Sequence, residues 1–194
     1  MQQIRPNHSR NVPKVPKVTI VNIGEIGYQQ DYSDIDIVHT DDININTPLF
    51  FNNAIQNNQS NLYLFLPSSF QFAQTNTVSR MVSILQQYSM YGGVYTDHYI
   101  IRKYKLRNYL PAFDRELLSS GIIINTPVLL YKHCLVPFHQ NIKSYFLYQL
   151  LLLSSYKYVL YHIAEPLFTL TQQDNISKDK AMEDLQLIKQ IQPK

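Results

Sequence analysis

The sequence has little cysteine and glycine, no tryptophan, and charges that nearly cancel. Cys134 is the only cysteine among 194 residues, which excludes an internal disulfide and any metal site built from several cysteines. The five glycines are scattered, with only Gly92 and Gly93 adjacent, so a glycine-rich phosphate-binding loop is excluded. Seventeen basic and 14 acidic residues give a net charge of +3, too small a surplus to indicate nucleic-acid binding by itself.

Long apolar runs are also lacking. The most apolar stretch, residues 146–153, is much shorter than the roughly 20 residues that span a bilayer. The N-terminus is polar and interrupted by proline, unlike a secretory signal. The abundance of Asn, Gln, Ile, Tyr and Lys is typical of AT-rich genomes, including viral ones. We therefore expect a soluble protein without a membrane span, in a reducing compartment such as the cytoplasm or in a virus particle.

Hydrophobic residues make up 45% of the chain, enough for one well-buried core. We divide the sequence into an extended basic arm (residues 1–17), an α/β domain (18–170) and a C-terminal helix (171–194). The arm is interrupted by prolines, and its cations all precede the first acid: Arg5, Arg10, Lys14 and Lys17. Two interpretations of the arm remain open, a flexible leader or a segment that docks on a protein partner.

Strand and helix patterns alternate along the middle of the chain. Val18–Ile23 and Ile35–Thr40 are rich in β-branched residues, and Leu62–Leu66 is a continuous apolar run, as in a strand buried on both faces. Residues 77–88 have the apolar spacing of an amphipathic helix. Further strands are predicted at 92–95, 122–124, 128–131 and 158–162, and further helices at 49–57, 114–120, 143–154 and 178–191. Such alternation predicts a Rossmann-like α/β fold with a mostly parallel sheet flanked by helices.

Four segments, taken in order, resemble family-2 glycosyltransferases of the GT-A fold. They are Asn52-Asn-Ala-Ile55 with the following Leu62–Leu66 strand, Gly93-Val-Tyr-Thr-Asp97, Phe113-Asp-Arg-Glu-Leu-Leu118 and Tyr161-His-Ile-Ala-Glu-Pro-Leu-Phe168. The resemblance covers residues 18–170 and implies a GT-A-like domain. Since Val18–Ile23 matches the second family strand better than the first, it also implies that the first βα unit is missing.

Several acids that this family uses are replaced. The family places an Asp-x-Asp motif after its core strand to hold Mn²⁺ or Mg²⁺ against the diphosphate, and this position reads Pro67, Ser68, Ser69 here. The helix that would supply the general base begins at residues 141–145 without an acid, and Thr169 stands where the family often has a histidine. The leading hypothesis is therefore a non-catalytic, glycosyltransferase-like subunit of a larger assembly, such as a virion, with no bound metal or cofactor expected.

An active transferase is the alternative. The resemblance leaves Asp97 as the matched family acid, with Asp114 and Glu116 on the matching helix. Asp34-Ile-Asp36 is a literal Asp-x-Asp, with His39, Asp41 and Asp42 close by. In this alternative Asp34, Asp36 and Asp97 hold Mn²⁺ or Mg²⁺ with a nucleotide sugar, and Asp97 is catalytic. A solvated strand edge is the simpler interpretation of Asp34 and Asp36.

A basic segment offers a second alternative. Arg102, Lys103, Lys105 and Arg107 alternate with Tyr104 and Tyr109. Cations interleaved with aromatic rings are typical of surfaces that follow single-stranded nucleic acid. The same cations also suit an acidic protein partner or a solvated loop. Cys134 beside His133 resembles a nucleophile pair, but neighbours on an extended strand point to opposite faces, which favours a buried structural thiol. His162 is predicted to be a core or rim histidine.

Overall fold

A curved β-sheet with helices on both faces forms the centre of the computed structural model, which describes residues 15–24, 26–27, 29–42, 46–120, 124–142, 145–171 and 178–191. The strands are β1 (Val18–Ile23), β2 (Ile35–Thr40), β3 (Leu62–Leu66), β4 (Phe70–Phe72), β5 (Tyr91–Ile101), β6 (Lys105–Asn108), β7 (Val128–Tyr131) and β8 (Val159–Leu170). The helices are α1 (Thr47–Asn57), α2 (Thr77–Gln87), α3 (Arg115–Ser119), α4 (Phe146–Ser155) and α5 (Lys178–Ile191). A 3-10 turn spans Lys132–Cys134.

The strand order is β2-β1-β3-β7-β5-β8-β4, and β6 pairs with β5. Strand β1 is parallel to β2 and β3, and β5 is parallel to β8; the other four pairings are antiparallel. The α/β class is confirmed, but the sheet is mixed rather than mostly parallel. The difference arises because β7 runs against both of its neighbours, and because β6 and β4 return as short antiparallel strands that the sequence pattern did not separate from loops.

The crossover between the parallel strands β1 and β2 is unusually short. Parallel neighbours are usually joined through a helix, yet none lies between them in the described residues of 24–34. Gly24 and Gly27 adopt positive φ angles of 76° and 78°, which glycine alone adopts without strain.

The missing first βα unit stays a prediction. Of the arm, Arg5, Arg10 and Lys14 lie outside the described residues, as do residues 122 and 123 of a predicted strand.

Two apolar clusters cover the two faces of the sheet. On one face Phe51 of α1 is fully buried, with its ring centroid 5.1, 5.4 and 5.6 Å from those of Phe65, Phe138 and Phe146. On the other face the side chains of α2 pack on β3. Burial on both faces explains why β3 is a continuous apolar run.

Asn52, in the first of the resemblance segments, has a structural role. Its amide group donates to the carbonyl oxygen of Phe138 and accepts from the amide nitrogen of Phe138, both at 2.8 Å. The side chain thereby imitates a paired backbone residue and ties α1 to the segment after β7. The helix begins two residues before the predicted start at residue 49, with Asn46 as its N-cap and Pro48 in its first turn.

Helix α5 packs on the same core as α1 and α4. Ile188 is buried there and Leu185 is partly buried, as the spacing predicts, whereas Met182 is exposed. No helix in the described ranges is long and apolar enough to cross a membrane.

Candidate functional site

One edge of the sheet collects the ends of five strands. Strands β1, β2 and β3 are parallel, and β5 and β8 run the same way because β7 is antiparallel to both β3 and β5. We call this the carboxyl edge, where α/β proteins usually bind ligands. Leu64 and Val94 both lie opposite Leu129, so Asp97 extends to about the level of Pro67.

Asp97 is the most constrained polar residue at the carboxyl edge. Its carboxylate is 1% exposed. Oδ2 accepts hydrogen bonds from Nε and Nη2 of Arg107, at 2.9 and 2.7 Å. Oδ1 accepts from the backbone nitrogen of Leu110 at 2.9 Å and from Nε2 of His162 at 2.8 Å. The carboxylate therefore connects β5 to β6, to the segment after β6, and to β8.

These contacts keep Asp97 ionised. Burial raises the pKa of its carboxyl, but the hydrogen bonds from Leu110, Arg107 and His162 outweigh burial, and the net pKa lies below the usual value of 3.8. A carboxylate offers about four acceptor positions, and the four hydrogen bonds occupy them. Asp97 could not ligand a cation or accept a proton from a substrate without losing a structural contact.

His162 and Arg107 are themselves held in place. The imidazole of His162 stacks on Tyr95 with ring centroids 4.9 Å apart, and Nη2 of Arg107 also donates to the carbonyl oxygen of Ala164. Ala164 belongs to a β-bulge in β8, between the pairings of Ile163 and Pro166 with β5. The bulge lets one guanidinium bind both the carboxylate and β8.

His98, next to Asp97, makes stability depend on pH. Burial is the main cause that lowers the pKa of His98 to about 4. In the unfolded chain His98 is protonated below about pH 6.5, whereas in the folded chain it is protonated only below about pH 4. The free energy of unfolding therefore falls as the pH drops from about 6.5 to about 4. Between pH 7 and 4.5 we expect a loss of about 2 kcal/mol in the free energy of unfolding. Urea titrations of wild type and His98→Gln check this; an equal loss in both would contradict it.

The position where the resemblance would put the Asp-x-Asp motif is a tight turn. After β3, the amide nitrogen of Phe70 donates to the carbonyl oxygen of Pro67, and the carbonyl oxygen of Ser69 accepts from Thr171. Ser68 is exposed and Ser69 is buried. The turn leads into β4, and its side chains are a proline ring and two hydroxyls, which do not fit the carboxylate ligands that Mn²⁺ and Mg²⁺ favour.

Asp34 and Asp36 lie far from Asp97. The strand register places Asp36, in β2, at the same level of the sheet as Gly93 in β5. Asp97 lies four residues further along β5 than Gly93. The four strand spacings between β2 and β5 amount to about 19 Å. Asp36 instead forms an exposed ion pair with Lys17 at 2.6 Å. The structure does not bring Asp34, Asp36 and Asp97 together, so they cannot share one cation in this arrangement.

A different polar chain occupies the carboxyl edge at β1 and β2. Nδ2 of Asn22 lies 3.0 Å from Nδ1 of His39, whose Nε2 lies 2.9 Å from Oδ1 of Asp41. Asn22 is fully buried, and its Oδ1 has no hydrogen-bond partner among the described residues. Among all the residues that the structure describes, no group of three or more His, Cys, Asp or Glu side chains is arranged to hold a metal ion.

The remaining candidates have local roles. Asp114 caps α3 by accepting a hydrogen bond from the backbone of Leu117. Cys134 is buried in the 3-10 turn rather than in a strand, and burial raises the pKa of its thiol to about 11, which disfavours the nucleophilic thiolate. Arg102, Lys103 and Lys105 lie at the exposed tip of the β5–β6 hairpin, whereas Arg107 turns toward Asp97.

The network of Asp97, Arg107 and His162 was not predicted as a unit. Asp97 and His162 each fell in a resemblance segment, and Arg107 was interpreted as part of a basic surface. The parallel pairing of β5 with β8 brings Asp97 and His162 together across 65 residues. The nearest signal in the sequence was the occurrence of Asp97 and His162 in two of the four segments that carry the resemblance.

Comparison with known proteins supports the fold. No family model and no curated protein matches the chain. Among solved structures, it is similar to S. aureus TarS, with a TM-score of 0.60 at 10% identity over 89% of this chain and 39% of TarS. TarS 1–349 gives a TM-score of 0.61 with 64% of that chain covered, and its UDP-GlcNAc complex gives 0.59 with 65% covered. The chain thus spans less than two thirds of each TarS chain. At this identity the likeness concerns the fold, and it shows that the chain has a GT-A-like glycosyltransferase fold.

Proposed function

We propose that this chain is a non-catalytic domain with a glycosyltransferase fold, acting as a binding or structural subunit of a larger assembly. The main support for the proposal is that hydrogen bonds already occupy all the acceptor positions of the Asp97 carboxylate. The resemblance makes Asp97 the remaining family acid, yet each of its oxygens already accepts two hydrogen bonds. Removing one partner from a buried ion pair is costly, so the arrangement favours a structural role for Asp97 over a catalytic one.

Two further observations support the proposal. The turn Pro67–Ser69 offers hydroxyls where a diphosphate-bound cation needs carboxylates. The polar chain of Asn22, His39 and Asp41 contains one carboxylate, and that carboxylate is already bonded to His39. The assembly role is supported by the basic arm, whose cations Arg5, Arg10 and Lys14 suit an acidic protein surface, whereas Lys17 is already paired with Asp36.

The test is a thermal melt of the full chain with Mn²⁺ and a panel of nucleotide sugars, followed by an assay of sugar hydrolysis and transfer. We expect no metal-dependent shift in Tm and no turnover. A donor present at 100 times its Kd would add about 2.7 kcal/mol of stability, which corresponds to a rise of at least about 5 °C for a domain of this size. Such a rise accompanied by turnover would overturn the proposal.

An active nucleotide-sugar transferase is the second candidate. The specific observation in its favour is the buried, unpartnered Oδ1 of Asn22 at the carboxyl edge, which could accept a hydrogen bond from a nucleotide base. If a donor does raise Tm, His39→Ala should abolish the rise, because His39 lies against Asn22. Asp36→Asn is the matched control, since Asp36 lies at the opposite end of β2. A rise that survives His39→Ala would place the donor elsewhere.

A further inference from the structure

The hairpin of β5 and β6 carries an exposed surface of cations and aromatic rings. We call it the hairpin surface and define it by Tyr99, Arg102, Lys103, Tyr104, Lys105 and Tyr109. Tyr104 and Tyr109 are 67% and 73% exposed, against 39% for Tyr88 elsewhere on the surface. No acidic residue occurs between Asp97 and Asp114 in the sequence. The hairpin surface is therefore positively charged and presents two tyrosine rings to solvent.

Strand register places the cations and rings side by side. Tyr99 pairs with Arg107 and Ile101 pairs with Lys105, so these four side chains share one face of the hairpin. Nζ of Lys105 lies 4.0 Å from the centroid of the Tyr99 ring, and Cζ of Arg107 lies 4.4 Å from that of Tyr109. Cations and rings thus alternate along one face through cation–π contacts.

Asp97 fixes the hairpin surface to the domain. Arg107 is bound by the carboxylate of Asp97, and the backbone of Leu110, just beyond β6, is bound by the same group. Arg107 is thereby neutralised, so the net positive charge comes from Arg102, Lys103 and Lys105 at the tip. A platform held by a buried ion pair loses little conformational entropy when a ligand binds.

A ligand that matches this surface needs negative charges together with flat rings. We propose that the hairpin surface binds single-stranded nucleic acid, with phosphates at Lys103 and Lys105 and bases stacked on Tyr104 and Tyr109. Proteins that bind single strands combine a basic track with aromatic side chains on which bases stack. Duplex bases are already stacked inside the helix and cannot use the rings. An acidic protein would satisfy the charge alone. The inference is independent of whether transferase activity survives.

The experiment measures fluorescence anisotropy of the full chain with three labelled probes of equal length, about 20 nucleotides, which exceeds the usual footprint of one small domain. The probes are oligo(dT), an abasic strand with the same number of phosphates, and a DNA duplex. We expect oligo(dT) to bind most tightly and the abasic strand to bind roughly tenfold more weakly or worse, because it lacks bases to stack. Binding of oligo(dT) should weaken steeply with salt, since counterions are released.

Two variants separate rings from charges. Tyr104→Ala should weaken oligo(dT) binding at least about fivefold and leave the salt dependence unchanged, because it removes stacking alone. Lys105→Gln should lower the slope of log Kd against log salt by about 0.7, the value for one phosphate contact on a single strand. Lys157→Gln, an exposed cation outside the hairpin surface, is the control and should change neither quantity. Unchanged melting temperatures confirm that each variant folds.

Several outcomes would overturn the inference. Equal affinity for oligo(dT) and the abasic strand would show that the hairpin surface recognises phosphate charge alone and does not stack bases. Binding that survives both Tyr104→Ala and Lys105→Gln would place the nucleic acid elsewhere, for example on the basic arm. Binding to vesicles of anionic lipid through the same residues, without oligo(dT) binding, would identify a membrane surface instead. None of these outcomes depends on nucleotide-sugar binding, so a failure here leaves the proposed function untouched.

Discussion

Asp97→Ala is expected to lower the free energy of unfolding by about 3 kcal/mol, which corresponds to a fall in Tm of roughly 6–12 °C. The change removes the only carboxylate bound to Arg107 and His162 in the described network and leaves their donors without an acceptor. We expect the lower end of the range for buried ion pairs because Arg107 keeps 30% of its side chain exposed. Urea denaturation of wild type and variant measures the difference.

The pH dependence of the same variant provides an internal check. Because the pKa of Asp97 is lower in the folded chain than in the unfolded chain, its contribution is present above pH 3.8 and is lost as the pH falls through the folded pKa. The stability difference between wild type and Asp97→Ala should therefore shrink in strong acid. Asp36→Ala, which breaks the exposed pair with Lys17, is the control and should have little effect. If Asp97→Asn instead abolished a measurable turnover while leaving stability unchanged, Asp97 would be catalytic.

Phe51→Ala is expected to cost about 3–5 kcal/mol, the largest effect of any single substitution considered. Phe51 is fully buried among three other phenylalanine rings, and its removal leaves a cavity between α1, β3 and α4. The neighbouring rings cannot fill the cavity without leaving their own contacts. The loss of packing also loosens the segment that Asn52 ties to Phe138.

Leu49→Ala is the matched control for Phe51→Ala. Leu49 lies in the same helix but is 42% exposed, so its truncation removes little buried area, and alanine does not weaken the helix itself. We expect a loss below about 1 kcal/mol, measured in the same urea titration. Similar losses for both variants would mean that α1 is held by something other than the phenylalanine cluster.

Local patterns predicted most elements of this fold. Strands β1, β2, β3 and β7 were expected at their observed positions, because β-branched and apolar runs are strong local signals. Helices α2 and α5 were expected from their apolar periodicity, and a short helix was expected at residues 114–120, where α3 lies. The GT-A-like fold came from the resemblance, and the structural comparison confirms it.

The site was less predictable because its geometry depends on pairing. Arg107 reads as one cation in a basic run, and only the antiparallel return of β6 turns it toward Asp97. The alternation of residues along the chain gave no sign that β7 would run against β3 and β5, and so the sheet was expected to be mostly parallel. Asp34 and Asp36 have suitable chemistry, but Asp36 lies in the edge strand β2 and Asp34 lies just before it, at the end opposite the carboxyl edge.

The late arrival of β7 has a consequence for the order of folding. During synthesis β3 and β5 leave the ribosome first, and their facing edges cannot pair until residues 128–131 follow. Until then the chain exposes the apolar edge of Leu62–Leu66, a segment suited to intermolecular strand pairing. The final register of the sheet centre is thus set by contacts more than 60 residues apart, such as Leu64 with Leu129, and folding of this domain should be slow for its size.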